Sequence, residues 1–199
     1  MVNQLINKCI SFMIRAGAIP NTVEQCEIYS YGLELIIYYI IHAVLLLGIG
    51  LLLGSFAEVA LLLFLFGLIQ SNGGGYHADT HGRCLILMVL GVLFFLALLP
   101  LYYNFFLLQA VSVIFGLIIV ILLAPVAHEN HPLNPQKAAM MGKKAKVIAI
   151  VTAFIWGLLT FSSAGTWLWP AIPGIIAVTM AFTGISMITA WLKKRLTAV

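Results

Sequence analysis

The amino-acid sequence predicts an all-α, polytopic integral membrane protein, with about six transmembrane helices preceded by an amphipathic interfacial helix. Three observations carry this. First, 63% of the 199 residues are hydrophobic and 8% are charged, against about 45–50% and about 25% in soluble domains. Second, the apolar residues run on without the short-period alternation of barrel strands, and in lipid the remaining solution is the helix. Third, all ten Lys and Arg residues lie outside the long apolar runs. The mean hydropathy of +1.11 excludes a soluble globular enzyme, a disordered chain, a coiled coil and a disulfide scaffold. The formal net charge of +4 is a topology signal and does not point to nucleic acid. The three cysteines, Cys9, Cys26 and Cys84, leave at least one thiol free and fit no zinc spacing. The chain reads as a single membrane-embedded domain over 1–199.

Each element follows from its residues. Over 1–20, the polar residues Gln4, Asn7, Lys8, Ser11 and Arg15 recur at helical spacing, and Leu5, Ile6, Cys9, Ile10, Phe12, Met13 and Ile14 form the other face. That pattern predicts a helix in the membrane surface rather than a signal peptide, stopped at Pro20-Asn21. Candidate spans follow at 33–53, 56–69, 85–101, 105–126, 147–163 and 171–192. The second reaches only roughly 21 Å at the helical rise. A hydrocarbon core of about 30 Å wants more, so it is a short span or is extended by the segment after it.

Charge tests this layout. With the N-terminus inside, the inside segments hold Lys8 and Arg15, then Arg83, then Lys137, Lys143, Lys144 and Lys146, then Lys193, Lys194 and Arg195. The outside loops, around Gly54, Asn104 and Gly165, hold none. This segregation predicts cytoplasmic N- and C-termini. Tyr102, Tyr103, Trp167 and Trp169 fall at the outer interface, where amphipathic rings prefer to sit. Glu34 and Glu58 read as interfacial, and His42 as the partner in an interhelical hydrogen bond. The lysines from Lys137 to Lys146 read as a loop. They serve topology and attraction to anionic lipid at about 1 kcal/mol each, with an acidic substrate tail as the sharper reading.

One stretch breaks the apolar pattern: Gln70-Ser71-Asn72-Gly73-Gly74-Gly75-Tyr76-His77-Ala78-Asp79-Thr80-His81-Gly82-Arg83-Cys84. Three successive glycines cost helix stability, about 1 kcal/mol each, and suit backbone that bends sharply or approaches something closely. Taken singly, a cysteine at a helix end, a glycine turn and loop histidines are ordinary structural features. Their coincidence beside a membrane points to chemistry. A thiol becomes a strong nucleophile as thiolate, with a base or cation beside it, and histidine serves near neutral pH. His81, three residues before Cys84, shares its face on a continuous helix. His77 lies about 10.5 Å away along such a helix and reaches Cys84 only if the chain turns between them. Spacing alone favours His81. The i, i+4 pair His77 and His81 also permits a metal, with Asp79, Cys84, His128 or His131 as further ligand, but no glutamate follows the first histidine as a zincin requires.

Gly-Gly-Gly-Tyr-His-Ala, with Cys84 seven residues after His77, resembles the accessory gene regulator B family of membrane cysteine endopeptidases, which process quorum-sensing pro-peptides. The likeness takes in the length, the amphipathic N-terminus, and Ala124-Pro125-Val126 and His131-Pro132-Leu133 before the lysines. The resemblance implies Cys84 as nucleophile and His77 as base, with a turn between them. Gly73, Gly74, Gly75, Asp79, His81 and Gln70 stand as supporting residues. Gln70 occupies a position that is often basic in the family. The resemblance further implies a bacterial cytoplasmic membrane, a site near its inner face, a short amphipathic pro-peptide as partner, a homodimer, and a cyclic thiolactone or lactone product. No cofactor, metal or nucleic acid is expected. A non-catalytic small-peptide transporter and a metal-dependent membrane hydrolase are the alternative classes.

Overall fold

The computed structural model describes residues 2–76, 78, 80–126, 134–162 and 171–197, with the side chains of Val2, Asn3, His81 and Thr197 outside the description. His77, Asp79, His128, His131, Trp167, Trp169 and the Gly165 loop therefore lie outside the described residues. Among those described there are seven helices and no strand: α1 (Val2–Arg15), α2 (Val23–Leu52), α3 (Phe56–Gly73), α4 (His81–Asn104), α5 (Phe106–Leu123), α6 (Pro135–Phe161) and α7 (Ile172–Thr197). Six of them, α2 to α7, are long and apolar enough to cross a membrane, so the protein is a multi-pass membrane protein with an N-terminal amphipathic helix. The second span does gain length at its C-terminal end, since α3 runs on through Gln70 to Gly73.

The chain forms two compact units, 1–48 and 49–199. In the first, α1 divides its apolar residues. Ile6 and Ile10 are buried with Ile19 and pack with Cys26, Leu33 and Ile37, while Leu5 and Phe12 stay exposed. The exposed pair is the surface that an interfacial helix offers to lipid. His42 is buried and its ring lies 6.4 Å from that of Tyr38.

In the second unit α7 is the central element. It packs against α3, α4, α5 and α6, and half of its most apolar window is buried. Its sequence explains this position, because helices associate in lipid by close packing of small residues. A Cβ on Gly116 of α5 would stand 2.3 Å from the Met180 carbonyl oxygen, and one on Gly184 would stand 2.7 Å from Phe115. Thr179 and Thr183, both buried, donate their hydroxyls to the carbonyls of Ile175 and Thr179 at 2.6 and 2.9 Å, so no polar atom of theirs faces hydrocarbon unpaired.

The lysine segment departs from the sequence expectation: it is helix, not loop. Asn134 accepts from the Gln136 amide at 3.1 Å, and Pro135 opens α6 at the position where its missing N–H costs nothing. Ala138, Ala139, Met140 and Met141 then propagate the helix. Gly142, Ala145, Ala149, Thr152 and Trp156 form its buried seam. Lys137, Lys143 and Lys144 are exposed and Lys146 is half-buried.

At one end of this unit, Tyr102 and Ser112 share a hydroxyl hydrogen bond of 2.8 Å. Gln109 donates to the Tyr102 carbonyl and accepts from the Trp156 indole at 3.2 Å. This buried set ties α4, α5 and α6 together. At the other end α3 stops, α4 starts, α5 stops, α6 starts and α7 stops. The broken stretch between α3 and α4 lies there.

Candidate active site around Cys84

The last turn of α3 prepares a sharp exit. Ser71 and Asn72 donate to the Leu68 carbonyl at 3.2 and 3.0 Å, and Gly74 N–H caps the Gln70 carbonyl at 2.9 Å. The Gly74 bond satisfies one of the last carbonyls that the helix end would otherwise leave open. Gly74 adopts φ 73°, in the left-handed region. A side chain there would also meet the Val126 carbonyl oxygen at 2.1 Å. The backbone passes this close because Val126 N–H donates to the Gly73 carbonyl at 2.8 Å. Ala124-Pro125-Val126 is thus the wall against which the glycine run turns. Gly142 of α6 packs on Pro125, and Gly73 faces Ala145.

Gly75 and Tyr76 are held by the neighbouring helices. The Gln70 amide lies over Gly75, so that a Cβ there would stand 2.1 Å from Nε2. Gln70 Nε2 donates to Ser186 Oγ of α7 at 2.9 Å. Tyr76 N–H reaches Ser186 Oγ at 3.0 Å and the Ser186 carbonyl at 3.1 Å. The Lys193 ammonium sits 5.7 Å from the centroid of the Tyr76 ring. Gln70 Oε1 is buried and has no hydrogen-bond partner among the described residues.

The chain re-enters helix at Thr80. Its hydroxyl accepts from the Arg83 amide at 3.3 Å as N-cap, and its carbonyl accepts from the Cys84 amide at 3.0 Å. Cys84 therefore sits at the first turn of α4, half-buried, its thiol free of any disulfide. The Ala78 backbone N–H donates to that thiol. Ala78 and Thr80 lie outside helix and α4 begins at His81, so the helix does not extend back from Cys84 to Ala78. Tyr76, Ala78, Arg83, Ile86 and Leu87 line a groove alongside.

Of the sequence-selected residues, the structure gathers Gln70, Gly73, Gly74, Gly75 and Cys84 at this end, with α6, which carries the lysines, packed against α3 through its small-residue seam. His77, Asp79 and the His81 side chain lie outside the described residues, and so does any distance from them to Cys84. The described residues contain no group of three metal-ligating side chains. The metal alternative draws on His77, Asp79, His128 and His131, none of which is described. Sequence reasoning missed Ser186, and noted Val126 only as part of the family likeness, not as a contact of the glycine run. Neither carries a local signal, since a lone serine and a valine are ordinary near apolar spans.

Chemically, the arrangement offers a thiol at the foot of a helix, with one amide donor and a groove beside it. A thiol half removed from water acts as a nucleophile when a base stands next to it. A family model described as accessory gene regulator B matches residues 6–192. Comparison with curated proteins and with solved structures gives no match.

Proposed function

The chain belongs to the accessory gene regulator B family, with a role in accessory gene regulation, and from that membership and the geometry at Cys84 we propose that it is a membrane cysteine endopeptidase maturing a short signalling pro-peptide. The observation that carries this reading is the contact between the Ala78 amide and the Cys84 thiol, Ala78 being the residue that follows His77 in the sequence.

The pro-peptide docks on the inner leaflet through its own amphipathic helix. His77 accepts the Cys84 proton, and the thiolate attacks a peptide carbonyl. A C–S bond forms, and backbone amides beside the glycine run stabilise the oxyanion. The C–N bond then breaks, and His77 returns the proton to the leaving amine. The C-terminal piece departs and an acyl thioester remains on Cys84. A cysteine or serine within the same peptide attacks that thioester, closes a thiolactone or lactone ring and regenerates the thiol. Thioester exchange is roughly balanced and gains from the effective concentration of the intramolecular nucleophile. Limited water at the membrane boundary protects the acyl-enzyme from hydrolysis. The cations of α4, α6 and α7 cluster at this end, which supports an inner-face site and a cytoplasmic C-terminus. The exposed lysines of α6 attract anionic lipid or an acidic peptide tail, and a second copy of the chain completes a homodimer.

The test is alkylation of Cys84 across pH in native membranes, with Cys9 and Cys26 changed to Ala. A thiol reactive near neutral pH, and unreactive there in His77→Ala, supports the dyad. Loss in His81→Ala alone moves the base to His81. Ordinary thiol behaviour in all three overturns the dyad. Processing of the pro-peptide that persists under EDTA separates this mechanism from a metal hydrolase. Processing lost in Cys84→Ser separates it from a transporter.

A further inference from the structure

The site stands on α4 and the segment before it, yet the segment's firmest attachment is to α7, which lies more than a hundred residues later in the chain. Ser186 Oγ receives two hydrogen bonds, from Gln70 Nε2 at 2.9 Å and from Tyr76 N–H at 3.0 Å. The Ser186 carbonyl takes the same Tyr76 N–H at 3.1 Å. Seven residues on, two turns along the same face of α7, Lys193 covers the Tyr76 ring. Met187, beside Ser186, is fully buried and packs towards Gly73. The anchor itself is rigid, because α7 is the element packed against α3, α4, α5 and α6. Downstream of His77 the segment is held again, by the Ala78 amide on the Cys84 thiol.

We infer that Ser186 is a positioning residue for the reaction: its hydroxyl fixes Tyr76, and so holds the histidine-bearing segment against Cys84, while Gln70 orients that hydroxyl. The inference rests on the proposed Cys84–His77 reading and adds to it a residue from a distant helix. Ser186→Ala removes two of the hydrogen bonds described and leaves the amide of Gln70, whose Oε1 has no partner among the described residues, with no described hydrogen bond at either end. The Tyr76 bond to the Ser186 carbonyl survives, so the helix and the fold remain.

The experiment is iodoacetamide alkylation of Cys84 in membranes, in the Cys9→Ala, Cys26→Ala background, from pH 6 to pH 10. The parent is compared with Ser186→Ala, Ser186→Thr, His77→Ala and the His77→Ala, Ser186→Ala double variant. Ser186→Ala is expected to slow alkylation near neutral pH on the order of tenfold, the factor for losing one or two neutral hydrogen bonds. The deficit should vanish at high pH, where the thiol ionises without a base. Ser186→Thr should restore the neutral-pH rate, and Ser186→Ala should add nothing to His77→Ala. A profile for Ser186→Ala that matches the parent, while His77→Ala loses reactivity, overturns the inference and leaves the dyad standing. A rate reduced equally at every pH and not recovered by Thr assigns Ser186 to folding alone and also overturns it. An unaffected His77→Ala overturns the dyad itself.

Discussion

Gly75→Ala isolates the contact between the glycine run and Gln70. Unlike Gly74, Gly75 lies outside the left-handed region, so alanine is conformationally acceptable there and the added Cβ is the sole cost. That atom would stand 2.1, 2.4 and 2.7 Å from Nε2, Cδ and Oε1 of Gln70, all inside van der Waals contact. The amide must swing away and give up its 2.9 Å bond to Ser186. A lost neutral hydrogen bond is worth about 0.5–1.5 kcal/mol, and a side chain forced off its rotamer about the same. The sum, about 1–3 kcal/mol, matches the usual cost of overpacking. Thermal unfolding of the detergent-solubilised protein reads it, at about 2–4 °C per kcal/mol for a chain of this size. The decisive comparison is a double-mutant cycle. In a Gln70→Ala background the obstruction is gone, and Gly75→Ala should then cost close to nothing. Gly74→Ala is the control. Its Cβ meets a backbone oxygen of Val126 and its φ is left-handed, at about 1–2 kcal/mol, so Gln70→Ala should not rescue it. If Gly75→Ala costs the same with and without Gln70, the steric account is wrong.

Two further substitutions test the frame around the site. Thr80→Ala removes the cap of α4 and should cost about 1 kcal/mol, with faster hydrogen exchange at the Arg83 amide; Thr80→Ser should leave that exchange unchanged. Gln109→Leu strands the Trp156 indole N–H and removes a donor from the Tyr102 carbonyl. It should cost about 0.5–2 kcal/mol in thermal unfolding, the range for such bonds between membrane helices. The rate of Cys84 alkylation should stay as in the parent, because the network lies roughly 27 Å along α4 from Cys84.

The helices and the reactive stretch were legible in sequence for the same reason. Lipid offers the backbone no hydrogen bonds, so a long apolar run must be helix, and every polar residue set against that background stands out. The number of spans, the amphipathic α1, the gathering of positive charge, and Cys84 with the glycine run all follow from local composition. The path of the chain through that stretch does not. Spacing along a helix says nothing of where α3 ends at Gly73, where α4 begins at His81, or that the Ala78 amide lies at the Cys84 thiol. That course is decided by Val126, which pairs with Gly73, and by Ser186, which pairs with Gln70 and Tyr76. Both lie far along the chain, and neither residue type announces a role. The lysine segment became helix through a cap at Asn134 and a seam of small residues that meets α3. Helix approach depends on small side chains placed on two helices at once. One segment of sequence determines what it forms; which backbone it touches is settled only when the partner helix is in place.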